Sequence, residues 1–164
     1  MGLSERLREC LEMSGAAYEI APHPEVFSTR DVAMQSHVPE RQLAKVLAVQ
    51  EEGDGHLMVA LPAACRIDLT ALKTATRRHR LSLVHEGDMA RLFPDCELGA
   101  IPPFGHLYGM PVYVDACFPR GGDIVFQAGN HREVVRMAYR DYERLAKPVA
   151  GEFCLHERDK DVNT

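Results

Sequence analysis

Three sets of residues in this 164-residue sequence have the types and spacing to take part in chemistry. The first is Lys45, which stands in the apolar stretch Leu43–Leu47 without a neighbouring acid. If this stretch is a strand and Lys45 turns inward, burial of the ammonium requires an anionic partner or a lowered pKa. Because side chains alternate between the two faces of a strand, Lys45 could equally lie on the solvent face.

The second set is the loop Gly99-Ala-Ile-Pro-Pro-Phe-Gly105. Paired prolines restrict the backbone, and the flanking glycines permit close approach or a positive φ. A rigid loop of this kind can present backbone N–H groups to a carbonyl or phosphate oxygen. The alternative is a structural turn that packs Phe104 into the core.

The third set is Gly129-Asn-His131, at the end of a predicted strand. His131 could exchange a hydrogen bond or a proton with a ligand, whereas a solvated loop histidine would do neither. A Cys–His nucleophilic site that pairs Cys96 with His106 or His131 is an alternative. No local sequence signature supports that pairing.

The charge balance restricts the partners of the protein. The formal net charge of −5, from 19 basic and 24 acidic residues, argues against indiscriminate nucleic-acid binding. The basic residues nevertheless form two groups along the chain, which could make one basic face or two ordinary solvated surfaces. The groups are Arg66, Lys73, Arg77, Arg78 and Arg80, followed by Arg132, Arg136, Arg140 and Arg144.

Five cysteines, with no C-x-x-C pair and no secretory signal, predict buried thiols rather than disulfides. The eight histidines are scattered without metal-ligand spacing, so the sequence predicts no metal unless distant residues assemble a site. No apolar run approaches the roughly 18–20 residues that a membrane span needs. We therefore expect a cytoplasmic protein without a membrane partner.

Hydrophobic periodicity and turn residues predict helices and strands in mixed order. The predicted helices cover 3–13, 28–34, 68–73, 87–92 and 141–146. The predicted strands cover 18–22, 42–50, 56–61, 111–116, 123–129 and 133–138.

This order predicts one α+β domain over residues 1–150, with a mixed, largely antiparallel and partly barrel-like sheet flanked by helices. Residues 151–164 are predicted to form a polar, mobile tail. The sequence lacks the glycine-rich dinucleotide-binding and P-loop motifs and the G-x-S-x-G nucleophile motif.

Taken together and in this order, these elements resemble the YbaK / prolyl-tRNA synthetase editing-domain family. The resemblance extends over residues 15–147. The stretches that carry it are Gln42–Leu47, Leu61–Ala63, Arg66–Leu69, Gly99–Gly105, Pro111–Asp115 and Ile124–His131.

The resemblance implies a trans-editing aminoacyl-tRNA deacylase, which hydrolyses the ester between a wrong amino acid and the tRNA 3′ adenosine. Lys45 would be the catalytic residue, close to the terminal adenosine and its phosphate. The substrate-binding residues would be Gly99, Ala100, Ile101, Pro102, Pro103, Gly129, Asn130 and His131. Because the ester is already activated, placing a water and stabilising an oxyanion would suffice, without a triad, metal or cofactor.

The resemblance also implies an RNA partner. The acceptor end of an aminoacyl-tRNA would contact the basic groups, with candidates Arg66, Lys73, Arg77, Arg78, Arg80, Arg132 and Arg136. The expected substrate is tRNA-Pro mischarged with Ala or Cys, with an aminoacyl-tRNA synthetase as a second partner and no DNA. Some alanyl-specific relatives have Asn directly after the lysine, where this chain has Val46. Pocket walls are expected from Val26–Thr29, Leu47, Ala60, Phe104 and His131.

Two other functions stay open at this point. One is a module of the same fold that binds tRNA or a synthetase without hydrolysis. The other is a cysteine-dependent hydrolase of a small ester or thioester.

Overall fold

The computed structural model describes residues 3–53 and 55–156. The helices are α1 (Glu5–Ser14), α2 (Thr29–Gln35), α3 (Leu69–Thr76), α4 (Glu86–Leu92) and α5 (Tyr139–Ala146), with a short 3-10 helix at Gly105–Tyr108. The strands are β1 (Tyr18–Pro22), β2 (Leu43–Glu51), β3 (Gly55–Pro62), β4 (Cys65–Ile67), β5 (Leu81–Leu83), β6 (Val112–Asp115), β7 (Asp123–Gln127), β8 (Glu133–Ala138), β9 (Val149–Gly151) and β10 (Cys154–His156).

The main sheet has the order β1-β8-β7-β2-β3-β6-β9, and β5 adds to β2. The pairs β2–β7, β3–β6 and β6–β9 are parallel, and the other pairs are antiparallel. Strands β4 and β10 form a separate antiparallel pair. The predicted α+β fold with a mixed, largely antiparallel sheet is confirmed, but the sheet is open rather than closed into a barrel, with β1 and β9 at its ends.

Local sequence explains where the helices begin. Side chains of Ser4, Ser28 and Asp68 accept hydrogen bonds from backbone N–H groups in the first turns of α1, α2 and α3. Helix α1 buries Leu7 and Leu11 on one face and ends at Gly15, whose φ is +73°. A left-handed conformation at this position favours glycine.

The principal core lies between one face of the sheet and helices α1 and α5. Phe104 is fully buried there, with its ring centroid 5.3 Å from those of Phe126 and Tyr142. The Tyr142 hydroxyl donates a hydrogen bond to the Pro103 carbonyl at 2.8 Å. The loop around residues 99–105 is thereby anchored in the core. Ala60 is also completely buried in this core.

The C-terminal part of the chain differs from its prediction. Strands β9 and β10 lie where the sequence predicted the end of the domain and a polar tail, so ordered structure extends past residue 150. Residues 157–164 of the predicted tail lie outside the described residues.

The prediction of buried thiols is wrong for Cys65 and Cys154, which form a disulfide. Pairing of β4 with β10 brings the two residues together across 89 positions of sequence, a separation at which spacing carries no signal. Cys10 and Cys96 are half-buried thiols, whereas Cys117 is exposed.

No helix within residues 3–53 and 55–156 combines the length and apolarity required to cross a membrane.

Candidate functional site

The main sheet has a gap along one edge of β2. Strand β7 pairs with β2 at Leu43 and Ala44, and β5 pairs with β2 from Val49 onward. At residues 45–47, no strand in the described parts of the chain pairs with this edge, although β3 pairs continuously on the other edge. A cleft of about 200 Å³ opens at the gap. Its lining consists of Val46, Leu47, Ala48, Leu83, Val84, Glu86, Met89, Leu98 and Gly99.

Lys45 is half-buried and stands where β2 leaves β7. Strand alternation puts it on the same face as Leu43 and Leu47. Leu43 belongs to an apolar cluster that includes α2, and Leu47 packs against a second cluster that includes α3. Lys45 therefore lies between two apolar clusters, on the face opposite the principal core. Lys45 is therefore neither fully buried nor fully exposed on a solvent face, the two positions that the sequence left open.

The predicted loop and the predicted glycine turn are joined by hydrogen bonds. The Glu97 N–H donates to the Gly129 carbonyl at 2.8 Å, and the Gly129 N–H donates to the Ala100 carbonyl at 2.9 Å. The Gln127 side-chain amide donates to the Gly99 carbonyl at 3.2 Å. Two segments about 30 residues apart in sequence thus form one rigid unit beside the gap.

His131 completes this unit. Its backbone N–H donates to a Glu97 carboxylate oxygen at 2.8 Å. Its Nε2 lies 2.7 Å from the Leu98 carbonyl oxygen, and because a carbonyl only accepts, Nε2 carries the proton. Its Nδ1 is buried without a hydrogen-bond partner among the described residues. The exposed Phe27 ring contacts the imidazole edge-on at 4.9 Å between centroids.

Gly99 is the member of the loop that lines the cleft. Its φ is +85°, a conformation that side chains disfavour. Gly99 is exposed and its backbone N–H has no acceptor within the described ranges, so this N–H is a candidate donor to a ligand oxygen.

Most of the other predicted substrate-binding residues are buried and support the loop from the side of the core. Ala100, Ile101, Pro102 and Pro103 are all buried. Asn130 is completely buried and holds the turn closed. Its side-chain oxygen accepts from the Arg132 N–H at 2.8 Å, and its Nδ2 donates to Glu133 at 3.1 Å.

Gly129 is required by its surroundings. Its φ is +95°, and a Cβ at this position would lie 2.9 Å from the Ser4 Cβ. The Ser4 N–H donates to the Ala128 carbonyl at 2.9 Å, so the start of α1 packs directly on the turn.

The predicted tRNA-contact residues divide into two kinds. Four of them form ion pairs with acids. Arg78 pairs with Glu51 and Arg80 with Glu52. Arg132 pairs with both Glu25 and Glu97, and Arg136 pairs with Asp123. The other three form no ion pair within the part of the chain that the structure describes. They are Arg66 on β4, Lys73 on α3 and Arg77, which follows the end of α3. Helix α3 packs through Leu72 on the cluster next to Lys45, so this basic group flanks the same face of the sheet.

Cys96 has neither the low thiol pKa nor the neighbouring histidine that a cysteine nucleophile requires. Burial raises the pKa of the Cys96 thiol to about 12, and the sulfur lies 3.1 Å from the Tyr108 hydroxyl. His106 contacts the Cys10 sulfur instead, at 4.0 Å. The geometry therefore argues against the Cys–His alternative.

One group of possible metal-ligating atoms lies elsewhere, at Asp115, Cys117 and Cys154, with these atoms within 4.8 Å of one another. Cys154 is oxidised in a disulfide, and the two Asp115 carboxylate oxygens accept backbone hydrogen bonds. This arrangement does not present three available ligands.

Several residues that build the site were not identified from the sequence. Glu97 and Gln127 hold the loop against the turn, and Glu86 lies at the cleft. Glu97 and Gln127 act through partners about 30 residues away, so no local motif marks them.

A family model described as "Aminoacyl-tRNA editing domain" matches residues 23–145. No curated protein matches the chain significantly. The chain is similar in structure to the hypothetical protein APE2540, with a TM-score of 0.82, 16% sequence identity, and coverage of 92% of this chain and 100% of that chain. It is also similar to a proposed trans-editing enzyme for prolyl-tRNA synthetase, with a TM-score of 0.80, 18% identity, and coverage of 93% and 96%.

A third similar structure is a protein from Marinobacter aquaeolei VT8 described as acting in signal transduction. The TM-score is 0.74 and the identity 19%, with 99% of this chain but 33% of that larger chain covered. At these identities the structural matches establish the fold.

Proposed function

The chain belongs to the aminoacyl-tRNA editing domain family, and from this premise we propose that it is a deacylase of mischarged tRNA. The reaction is hydrolysis of the ester between a wrong amino acid and the 3′ adenosine. The observation that carries the proposal is the gap beside β2, where a small cleft is lined by Gly99 of the loop and by Val46, the neighbour of Lys45, while His131 contacts the Leu98 carbonyl next to Gly99.

The proposed mechanism needs two contributions from the protein. A water attacks the ester carbonyl carbon, the carbonyl oxygen becomes an oxyanion, and the bond to the ribose oxygen then breaks. The Gly99 N–H is suited to donate to the oxyanion, and the Lys45 ammonium to neutralise the oxyanion or the terminal phosphate. A ribose hydroxyl of the substrate would assist proton transfer, so Lys45 acts electrostatically and not as a nucleophile.

His131 is a positioning residue in this mechanism. Its Nε2–H holds the Leu98 carbonyl, and its Cε1 would lie 3.6 Å from a Cβ on Gly99. The conformation of the loop that presents the Gly99 N–H therefore depends on the imidazole. Well-positioned donors contribute because they require little reorganisation as charge develops.

The cleft favours a small amino acid. Its volume of about 200 Å³ and its apolar lining by residues such as Val46, Leu83 and Met89 fit Ala or Cys better than a large or charged side chain. Glu86 at the cleft is suited to bind the α-ammonium group that every aminoacyl ester carries. We propose tRNA-Pro mischarged with Ala or Cys as the substrate.

The acceptor end would approach across β4 and α3. Arg66, Lys73 and Arg77 supply positive charge that no acid within the described residues pairs. Arg132 supplies charge on the other side of the site, next to His131. A synthetase partner would supply further tRNA selectivity.

The test is a deacylation assay on tRNAs mischarged with Ala, Cys, Ser or Thr, including mischarged tRNA-Pro. Wild type and Lys45→Ala are compared with and without a metal chelator. Lysine-dependent, chelator-resistant release of one amino acid supports the proposal and identifies the substrate. Measurable tRNA binding without release of any amino acid supports the non-catalytic binding module, and absence of both contradicts either function.

A further inference from the structure

A group of three cysteines lies away from the gap beside β2. Cys65 on β4 is bonded to Cys154 on β10, and the Cys117 sulfur lies within 4.8 Å of the Cys154 sulfur. Cys65 is buried, Cys154 is half-buried and Cys117 is an exposed thiol. A thiol next to a disulfide is the arrangement from which thiol–disulfide exchange proceeds.

A buried carboxylate holds this arrangement together. Asp115 at the end of β6 is 1% exposed. One of its oxygens accepts from the Cys117 N–H at 2.9 Å, and the other accepts from the Phe153 N–H at 2.9 Å. Because Phe153 precedes Cys154, a single side chain anchors the two segments that carry the adjacent sulfurs. The contact between Cys117 and the disulfide is therefore built into the fold.

The site is accessible from solvent. A cleft of about 250 Å³ is lined by Asp115, Ala116, Cys117, Glu152 and Cys154. A small thiol or disulfide such as glutathione can approach the exposed Cys117 sulfur through this cleft, whereas Cys65 lies behind Cys154.

We propose that Cys117, Cys154 and Cys65 form a thiol–disulfide exchange site in which Cys117 attacks the Cys154 sulfur. Cys117 first loses its proton to solvent. A Cys117–Cys154 bond then forms as the Cys65–Cys154 bond breaks, and Cys65 leaves as a thiolate that takes up a proton. No net oxidation or reduction occurs. The exchange moves the covalent link of β10 from β4 to the turn after β6.

The charges around Cys117 restrain this exchange. A hydrogen bond to Asp115 and burial, together with the negative charge of Glu152, raise the pKa of the Cys117 thiol to about 11. The reactive thiolate is therefore scarce at neutral pH and increases toward pH 11. The exchange should accordingly be slow near neutrality and faster as pH rises.

The test maps the disulfides of the full-length protein after one fixed, short incubation with oxidised glutathione at pH 7, 8 and 9. Thiols are trapped with N-ethylmaleimide, and the protein is digested without reduction and analysed by mass spectrometry. We expect Cys65–Cys154 peptides at pH 7 and a growing share of Cys117–Cys154 peptides at pH 9. Maleimide label should appear on Cys65 to the same extent.

Variants separate exchange from a passive disulfide. Cys65→Ser should form the Cys117–Cys154 bond, and Cys117→Ser should retain Cys65–Cys154 with no label on Cys65. Glu152→Gln should increase the rate of maleimide labelling of Cys117 at pH 8 a few-fold, because it removes a negative charge from the thiol. Cys10→Ser is the matched control and should leave the map unchanged, and circular dichroism checks the fold of each variant.

Two outcomes would overturn the proposal. The first is wild-type protein that labels Cys117 but never Cys65 at any pH, combined with folded Cys65→Ser that forms no Cys117–Cys154 bond. The second is reduced protein that retains one Zn²⁺ per chain and forms neither disulfide under oxidised glutathione, which would indicate a metal site instead.

Discussion

The environment of Lys45 leads to a prediction about catalysis. Replacing Lys45 by Ala should lower kcat/KM for ester hydrolysis about 100-fold or more, because an oxyanion or phosphate would lose its cationic partner. The measurement is a deacylation rate on the substrate that the mischarged panel identifies.

The matched control is Lys147→Gln, which changes an exposed lysine at the end of α5. Wild-type rates for Lys45→Ala would disprove the electrostatic role. A loss of activity accompanied by unfolding, measured by circular dichroism, would leave Lys45 with a structural role only.

His131 should affect turnover more than substrate binding. His131→Ala removes the donor to the Leu98 carbonyl, so the loop loses its position and kcat should fall about tenfold or more, with little change in KM. His131→Gln places an amide N–H near the same carbonyl and should restore part of the loss. Equal losses of kcat in the two variants would show that the hydrogen bond to the Leu98 carbonyl does not account for the effect of His131.

Helix α1 is attached to the rest of the molecule by Asp95. The Ser4 hydroxyl donates to one Asp95 oxygen at 2.5 Å, and the Tyr108 hydroxyl donates to the other at 2.9 Å. Burial opposes ionisation of this carboxyl, but hydrogen bonds from Ser4, Tyr108 and the Arg6 N–H lower its pKa below the ordinary value. Since Ser4 also packs on Gly129, this attachment extends to the turn that holds His131.

The lowered pKa of Asp95 predicts a pH dependence of stability. A carboxyl whose pKa is lower in the folded state stabilises the protein above its unfolded-state pKa, about 3.9, and loses this contribution as pH falls through the folded-state pKa. Asp95→Asn should destabilise the protein by about 1–3 kcal/mol at pH 7. Urea unfolding from pH 7 to pH 3 should show the difference from wild type shrinking below about pH 4. A difference that is constant with pH would contradict the assignment.

The longer elements could be predicted from the sequence because their signals are local. The β2–β3 hairpin has apolar strands on either side of a Gly-containing turn, and Asp68 caps α3 as expected. The three-residue strands β4, β5, β9 and β10 are too short to show a period. They form because partners elsewhere in the chain pair with them.

Charge distributed over the whole molecule determines how it would bind RNA. With a net charge of −5, binding depends on local positive charge. Among the predicted tRNA-contact residues, Arg66, Lys73 and Arg77 form no ion pair with a described residue. Replacing all three by Ala should weaken tRNA binding and reduce the slope of log K against log salt concentration by about 1 for each phosphate that the protein no longer neutralises.

The measurement is a salt titration of tRNA binding, with Arg144→Ala as the control because Arg144 is paired with Asp141 on α5. An unchanged slope in the triple variant would mean that the acceptor end binds another surface, with Arg132 as the next residue to test.

The sequence by itself determined the family and the α+β class, and it predicted three sets of residues for the site. These rest on residue type, local periodicity and short motifs, which a linear sequence displays directly. Only the tertiary structure decided that Gly99 lines the cleft while Ala100–Pro103 lie beneath it, and that His131 binds the Leu98 carbonyl. The Cys65–Cys154 bond likewise depended on the pairing of β4 with β10. These features join positions 33 and 89 residues apart, and such long-range pairings follow from how the whole chain packs.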